Sequence, residues 1–201
     1  MTDRGKRGGI TSTELMGQLE NDPEYRARVE AAEAERQVRA DRLREAERPI
    51  VSDLNRVGVA VGSVWDLVNT SEPYPGALPV LLQHLERGGY PERVMESLGR
   101  ALAVKPSVAW WDRLKALYRG ARDAGEEDGV AVALAACATK AQLDDLVGFL
   151  ALTERGESRI YFLRPIKRLG GEAGRDLLER LRDDATFGRE ASALLKVRRK
   201  R

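Results

Sequence analysis

LQHL at 82–85, LKAL at 114–117, LVGF at 146–149 and LERL at 178–181 are one pattern written four times, 32 residues apart without a gap. Each begins with leucine and closes three positions on with leucine or phenylalanine, a spacing that puts both side chains on one helix face. A second column, Leu98, Val130, Phe162 and Leu194, follows sixteen residues behind the first. Two apolar positions per period, each on its own helical pattern, describe a helix–turn–helix unit repeated four times. A unit that short cannot bury its apolar face alone, so neighbours must stack into one continuous core. The predicted fold class is all-α: an α-solenoid of about four repeats with an N-terminal helical extension.

Working outward, the spacing predicts helices over 75–87 and 91–104 in the first unit, turning at Gly88-Gly89. The second unit pairs 108–120 with 127–138, the third 139–152 with 158–169, and the fourth 172–183 with 187–200. Pro165 falls inside one of these helices and removes a hydrogen bond, so a kink is expected there.

Ahead of the array, 74–201, the chain divides into three parts. Residues 1–10 are rich in Gly and Arg without apolar periodicity and read as disordered. Residues 11–48 read as a charged helical arm. Thr11 and Glu14 have capping-box spacing, and Asp22-Pro23 reads as an N-cap with proline at the first helical position. Asp22–Arg26, Glu24–Arg28 and Glu35–Arg39 have favourable four-residue spacing, and Arg48-Pro49 should stop the helix. Apolar positions are too few for a sustained coiled-coil seam, so a solvated arm fits better than a dimerising one. Residues 49–73 read as capping helices, with Ser63 as an N-cap and Trp65 and Leu67 closing the front of the core.

Charged residues make up 33% of the chain and nearly cancel at +2, but they are not evenly placed. From Arg159 to Arg201 there are 13 Lys or Arg against 6 Asp or Glu, a net of +7, whereas residues 1–48 carry a net of −1. An acidic partner would be sought at the basic end. The lone cysteine, Cys137, sits in an apolar run and reads as a small buried hydrophobe. No run of about 18 apolar residues exists to span a membrane, and the first nine residues lack a signal peptide's apolar core. A cytoplasmic location is expected.

With VWDLVNT at 64–70, YPGALPVLLQHL at 74–85 and ESLGRALAVK at 96–105, the chain resembles the HEAT-like helical-repeat proteins of bacteria, of the actinobacterial type. The resemblance covers about two thirds of the chain. It implies antiparallel helix pairs in a right-handed superhelix, with the second helices lining the concave surface. It implies little about activity, because such scaffolds serve many functions.

No catalytic constellation emerges. His84 is the only histidine and reads as a surface or groove residue with no second ligand nearby. One His and one Cys cannot make an ordinary zinc site, and no GxSxG, HExxH or P-loop pattern occurs. No catalytic residue, cofactor site or metal site is therefore assigned. The run from Leu169 to Gly174 could offer amides to a phosphate, but a tight turn between repeats explains its glycines as well. Trp110, Trp111 and Asp112 share residue types with HEAT-like DNA glycosylases without sharing a motif, and read as packing anchors.

The period combined with helical geometry gives a sharper signal. If Phe162, Ile166 and Leu169 face the core, then Arg164, Lys167 and Arg168 cluster on the opposite side. One period relates Arg100, Val132, Arg164 and Lys196, and also carries Lys167 to Arg199 and Arg168 to Lys200. Val132, Ala135 and Ala136 form a shallow apolar saddle between the basic patches. The resemblance would set this stripe inside the curve. Solvated helices carry such residues anyway, and cations complement a helix C-terminus, which covers Lys196 onward well but Arg100 and Arg164 less well, since neither is expected in a last turn. The reading is a non-enzymatic adaptor that binds an acidic protein segment through Arg100, Val132, Arg164, Lys167, Arg168, Lys196 and Arg199. The alternatives are nucleic-acid binding through the same stripe and, less favoured, a DNA glycosylase.

Overall fold

The computed structural model describes Met16 and residues 22–196. The expectations for residues 1–10, for the helix starting near Thr11, and for Arg199 and Lys200 lie outside the described residues. Among those described, every regular element is helical: α1 (Pro23–Arg56), α2 (Val64–Val68), α3 (Leu78–Arg87), α4 (Glu92–Ala101), α5 (Trp111–Arg119), α6 (Ala124–Cys137), α7 (Leu143–Phe149), α8 (Leu163–Arg180) and α9 (Gly188–Lys196). Short 3-10 turns lead into α3, α5, α7 and α8. The chain falls into two compact units, 1–44 and 45–201.

In the first unit, the side-chain oxygen of Asp22 accepts from the Glu24 amide at 2.9 Å and caps α1. The ion pairs along this stretch form three residues apart, Glu33 with Arg36 and Asp41 with Arg44, rather than at the four-residue spacing expected.

In the second unit, α1 does not stop at Arg48-Pro49 as the sequence suggested. It runs on to Arg56, with Pro49 inside it. An interior proline costs about 3 kcal/mol. Ile50 and Leu54, four residues apart and wholly buried, each contribute roughly 1.5–3 kcal/mol, so tertiary packing prevails. The buried Glu47 also reaches the start of α2, where its carboxylate accepts from the Val64 amide at 3.3 Å. The chain turns at Gly58, whose φ of 82° suits glycine.

α2 starts as expected. Ser63 and Asp66 form a capping box, Leu67 is buried, and the Arg93 guanidinium lies 4.3 Å over the Trp65 ring. Beyond it, the 32-residue register marks the core. Leu82, Leu114, Leu146, Leu178, Leu98, Val130 and Phe162 are all buried, and Leu194 is 8% exposed. The column three residues on is less complete: Leu85 and Phe149 are buried, whereas Leu117 and Leu181 are half-buried. Trp111, Tyr118, Phe149 and Phe162 form an aromatic chain with successive centroids 6.3, 5.3 and 5.2 Å apart along Phe149–Trp111, Phe149–Tyr118 and Tyr118–Phe162.

Helices α4 and α6, one sequence period apart, run parallel in very close contact. A Cβ on Gly125 would sit 2.2 Å from the Glu92 carbonyl oxygen, and one on Gly129 2.7 Å from that of Glu96. Only glycine lets the backbones approach this far. Polar ties join successive helix pairs across 30 to 34 residues. Trp111 Nε1 donates to Asp145 at 2.7 Å, Lys115 meets Asp145 at 3.0 Å, and Lys105 Nζ donates to the Ala136 carbonyl at 2.6 Å. Arg122 reaches the Leu85 carbonyl, and Arg155 those of Arg119 and Ala121. Each arginine thus places a cation at the C-terminal end of an earlier helix, α3 or α5.

The third repeat of the sequence pattern departs from expectation. A 3-10 run, Thr153–Phe162, replaces the start of its second helix, broken at Gly156 with φ 50°. Pro165 produces no kink, because it lies in the first turn of α8, where its missing N–H would have had no intrahelical partner. The break comes instead at Gly171, with φ 58°. The chain folds back so tightly there that a Cβ on Gly174 would lie 2.3 Å from the Ile166 carbonyl oxygen. A tight turn therefore accounts for the glycine run 170–174.

Candidate functional site

Two features bear on binding: a cavity at the front of the second unit and a set of cations on α8. The cavity has a volume of about 580 Å³. Leu67 of α2, Tyr74 and Leu78 ahead of and in α3, Arg100 of α4, Val104 beyond it and Val132 of α6 all line it. Tyr74 is fixed by donating to the Ala101 carbonyl at 2.9 Å, and burial holds its hydroxyl pKa above the ordinary value. Arg100 and Val132, one period apart in the sequence, thus share one cavity. Of the expected saddle only Val132 lines this cavity, and residues 70–75 line it as well.

Arg100 is not the free surface cation that the register suggested. Its side chain is 27% exposed, and Nε donates to Glu96 at 2.7 Å. Burial works against its charge, but the hydrogen bond it donates to Glu96 and the interaction with Tyr161 outweigh it and raise its pKa. Glu96 also holds Arg93. One period after Glu96 stands Asp128, half-buried, with its carboxyl pKa pushed up by burial and by Glu96, Glu127 and Glu157 against the pull of Arg100. The basic stripe is therefore offset by carboxylates across α4 and α6.

On α8 the picture differs. Arg164 and Arg168 are exposed, one turn apart, and make no ion pair among the described residues. Between them Pro165 and Ile166 are buried, so the two arginines share the outer side. Lys167 does not join them. It is half-buried and its Nζ donates to the Leu194 carbonyl in α9. Its role is to hold the end of the last helix, as expected of a cation near a helix C-terminus. Lys196 ends α9 exposed, and Arg199 lies outside the described residues. The predicted site residues thus fall into two groups: Arg100 with Val132 at the cavity, and Arg164 with Arg168 on α8.

His84 corrects the sequence reading. It is 3% exposed, not superficial, and is held between Tyr90 Oη at 2.7 Å and Asp53 at 3.0 Å. The imidazole ties α1 to α3. Its hydrogen bond, acting with the Arg56 charge against burial, holds the Asp53 carboxyl below its usual range. Trp111 is buried and Asp112 exposed, and the indole is spent on Asp145. Cys137 is buried as expected, and burial raises its thiol pKa to about 11. No group of three or more His, Cys, Asp or Glu side chains suited to a metal occurs among the described residues. No described helix is long and apolar enough to cross a membrane.

No protein-family model, no curated protein and no solved structure matches the chain.

Proposed function

We propose that the chain is a non-enzymatic adaptor of the HEAT-like helical-repeat kind, acting in the cytoplasm, whose second-helix face holds an acidic segment of another protein. The observation that carries this reading is the Arg164–Arg168 pair, two exposed guanidinium groups one turn apart with no ion-pair partner among the described residues. Guanidinium forks suit carboxylates, which they bind through paired hydrogen bonds. Arg100 is a weaker contributor, since Glu96 already holds its Nε.

The test is capture of partners from the native lysate by wild-type chain and by Arg164→Glu with Arg168→Glu, each with and without nuclease. Loss of a nuclease-resistant partner in the double variant, with an unchanged melting temperature, supports the adaptor. The partner should fail equally when its own Asp and Glu residues are neutralised. A nuclease-sensitive partner whose affinity falls steeply with salt would assign the same cations to phosphates instead. Equal capture by both chains would remove the α8 surface from consideration.

A further inference from the structure

The cavity beside Val132 is independent of the α8 cations. Its walls come from the end of α2, the 70–75 segment, the start of α3, the end of α4 and one turn of α6. Walls on that many sides make a pocket rather than a groove along which a chain could run. About 580 Å³ is within the range of roughly 300–1,000 Å³ typical of small-molecule sites, which are mostly apolar with a few fixed polar groups. Leu67, Leu78, Val104 and Val132 supply the apolar surface. Two charged side chains line it. Glu72 is exposed on its loop, so the anchored charge is Arg100, held through Nε by Glu96.

We propose that this cavity binds a compact apolar molecule carrying a single carboxylate, with the body against Val132 and Leu78 and the carboxylate on the terminal nitrogens of Arg100. The anchoring contact with Glu96 leaves that outer edge of the guanidinium for Tyr161 and for the ligand. A guanidinium already oriented and partly removed from water loses little freedom on binding, so its hydrogen bonds to an anion are strong. Glu96 and Asp128 oppose an anion, so the matched cation is the discriminating probe.

Three compounds of one shape test this on the full chain: 3-phenylpropionate, 3-phenylpropanol and 3-phenylpropylamine, followed through methyl resonances of Leu67, Leu78, Val104 and Val132. The expected result is saturable shifts with the acid binding tightest. Arg100→Gln should weaken the acid by about ten-fold, the scale of a charge-assisted hydrogen bond, and leave the alcohol unchanged. Val132→Phe, which fills the cavity from a half-exposed position, should abolish binding of acid and alcohol alike, and keeps the test usable if Arg100→Gln does not fold. The proposal is overturned if the amine binds as tightly as the acid, if either variant binds the acid like wild type, or if none of the three compounds shifts these methyls. Arg164→Glu with Arg168→Glu should leave acid binding intact, so failure of the adaptor reading and failure of this one are separable.

Discussion

Gly99 and Gly129 meet backbone to backbone: a Cβ on Gly99 would lie 2.3 Å from the Gly129 carbonyl carbon. This contact brings α4 and α6 close enough to set Glu96 and Asp128 near one another, and with them the electrostatics around Arg100.

A methyl group at that point has nowhere to go. Gly99→Ala should cost about 1–3 kcal/mol through overpacking, read as a lower urea midpoint with an unchanged slope. Gly148 in α7 is the control, because a Cβ there meets nothing within 4 Å. Gly148→Ala should instead gain roughly 0.5–1 kcal/mol by easing the helix entropy cost. Equal effects from the two variants would show that the helices do not approach this closely.

The apolar columns carry most of the core. Leu114→Ala should cost about 2–5 kcal/mol and Phe162→Ala about 3–5 kcal/mol, since both leave cavities where side chains are wholly buried. A loss under about 0.5 kcal/mol at both would mean that the 32-residue register does not mark the core.

Asp145 links α5 to α7, and its charge should show in the acid limb of the stability curve. The Trp111 indole, together with Lys115, outweighs burial and holds its carboxyl below the ordinary 3.8. A group with a lowered folded-state pKa contributes stability that is present above the unfolded value and lost as pH falls through the folded one. The melting temperature of wild type should therefore exceed that of Asp145→Asn at pH 6. The gap should close as pH drops below 3.8. A gap that stays constant down to pH 2 would show that ionisation plays no part in the tie.

Cys137 should resist modification. Burial keeps the thiol protonated and out of reach, with a pKa near 11, and the thiolate is the reactive form. At pH 8 the folded chain should react with a thiol reagent only as fast as it opens, and addition of urea should release the full reaction. Rapid labelling under native conditions would place the sulfur at the surface.

How much of this was legible in the sequence follows from what each feature depends on. The columns through Leu82 and Leu98 could be read because burial on a helix leaves a period. The extension of α1 past Pro49 could not, since Ile50 and Leu54 override the proline only through partners distant in sequence. The same holds for His84, whose partners Asp53 and Tyr90 flank it from different elements. Opposite Arg100, Glu96 was visible as a four-residue pair and could have warned that this cation was already committed. The role of Lys167 depends on where the Leu194 carbonyl falls, and the cavity depends on the fold of the 70–75 segment. Neither has a periodic signature.

The ties between successive helix pairs also bear on how the chain acquires its structure. The hydrogen bonds joining Lys105 to Ala136, Trp111 to Asp145, Glu86 to Arg113, Glu127 to Ser158, and Tyr118 to Ser158 span only 27 to 40 residues. Those of Arg122 and Arg155 fall in the same interval. Low sequence separation between partners favours fast folding. On a ribosome, each helix pair would therefore find its partners among the few dozen residues just before it. The second unit can consolidate from its N-terminal end while synthesis continues, with no strand to wait for among the described residues.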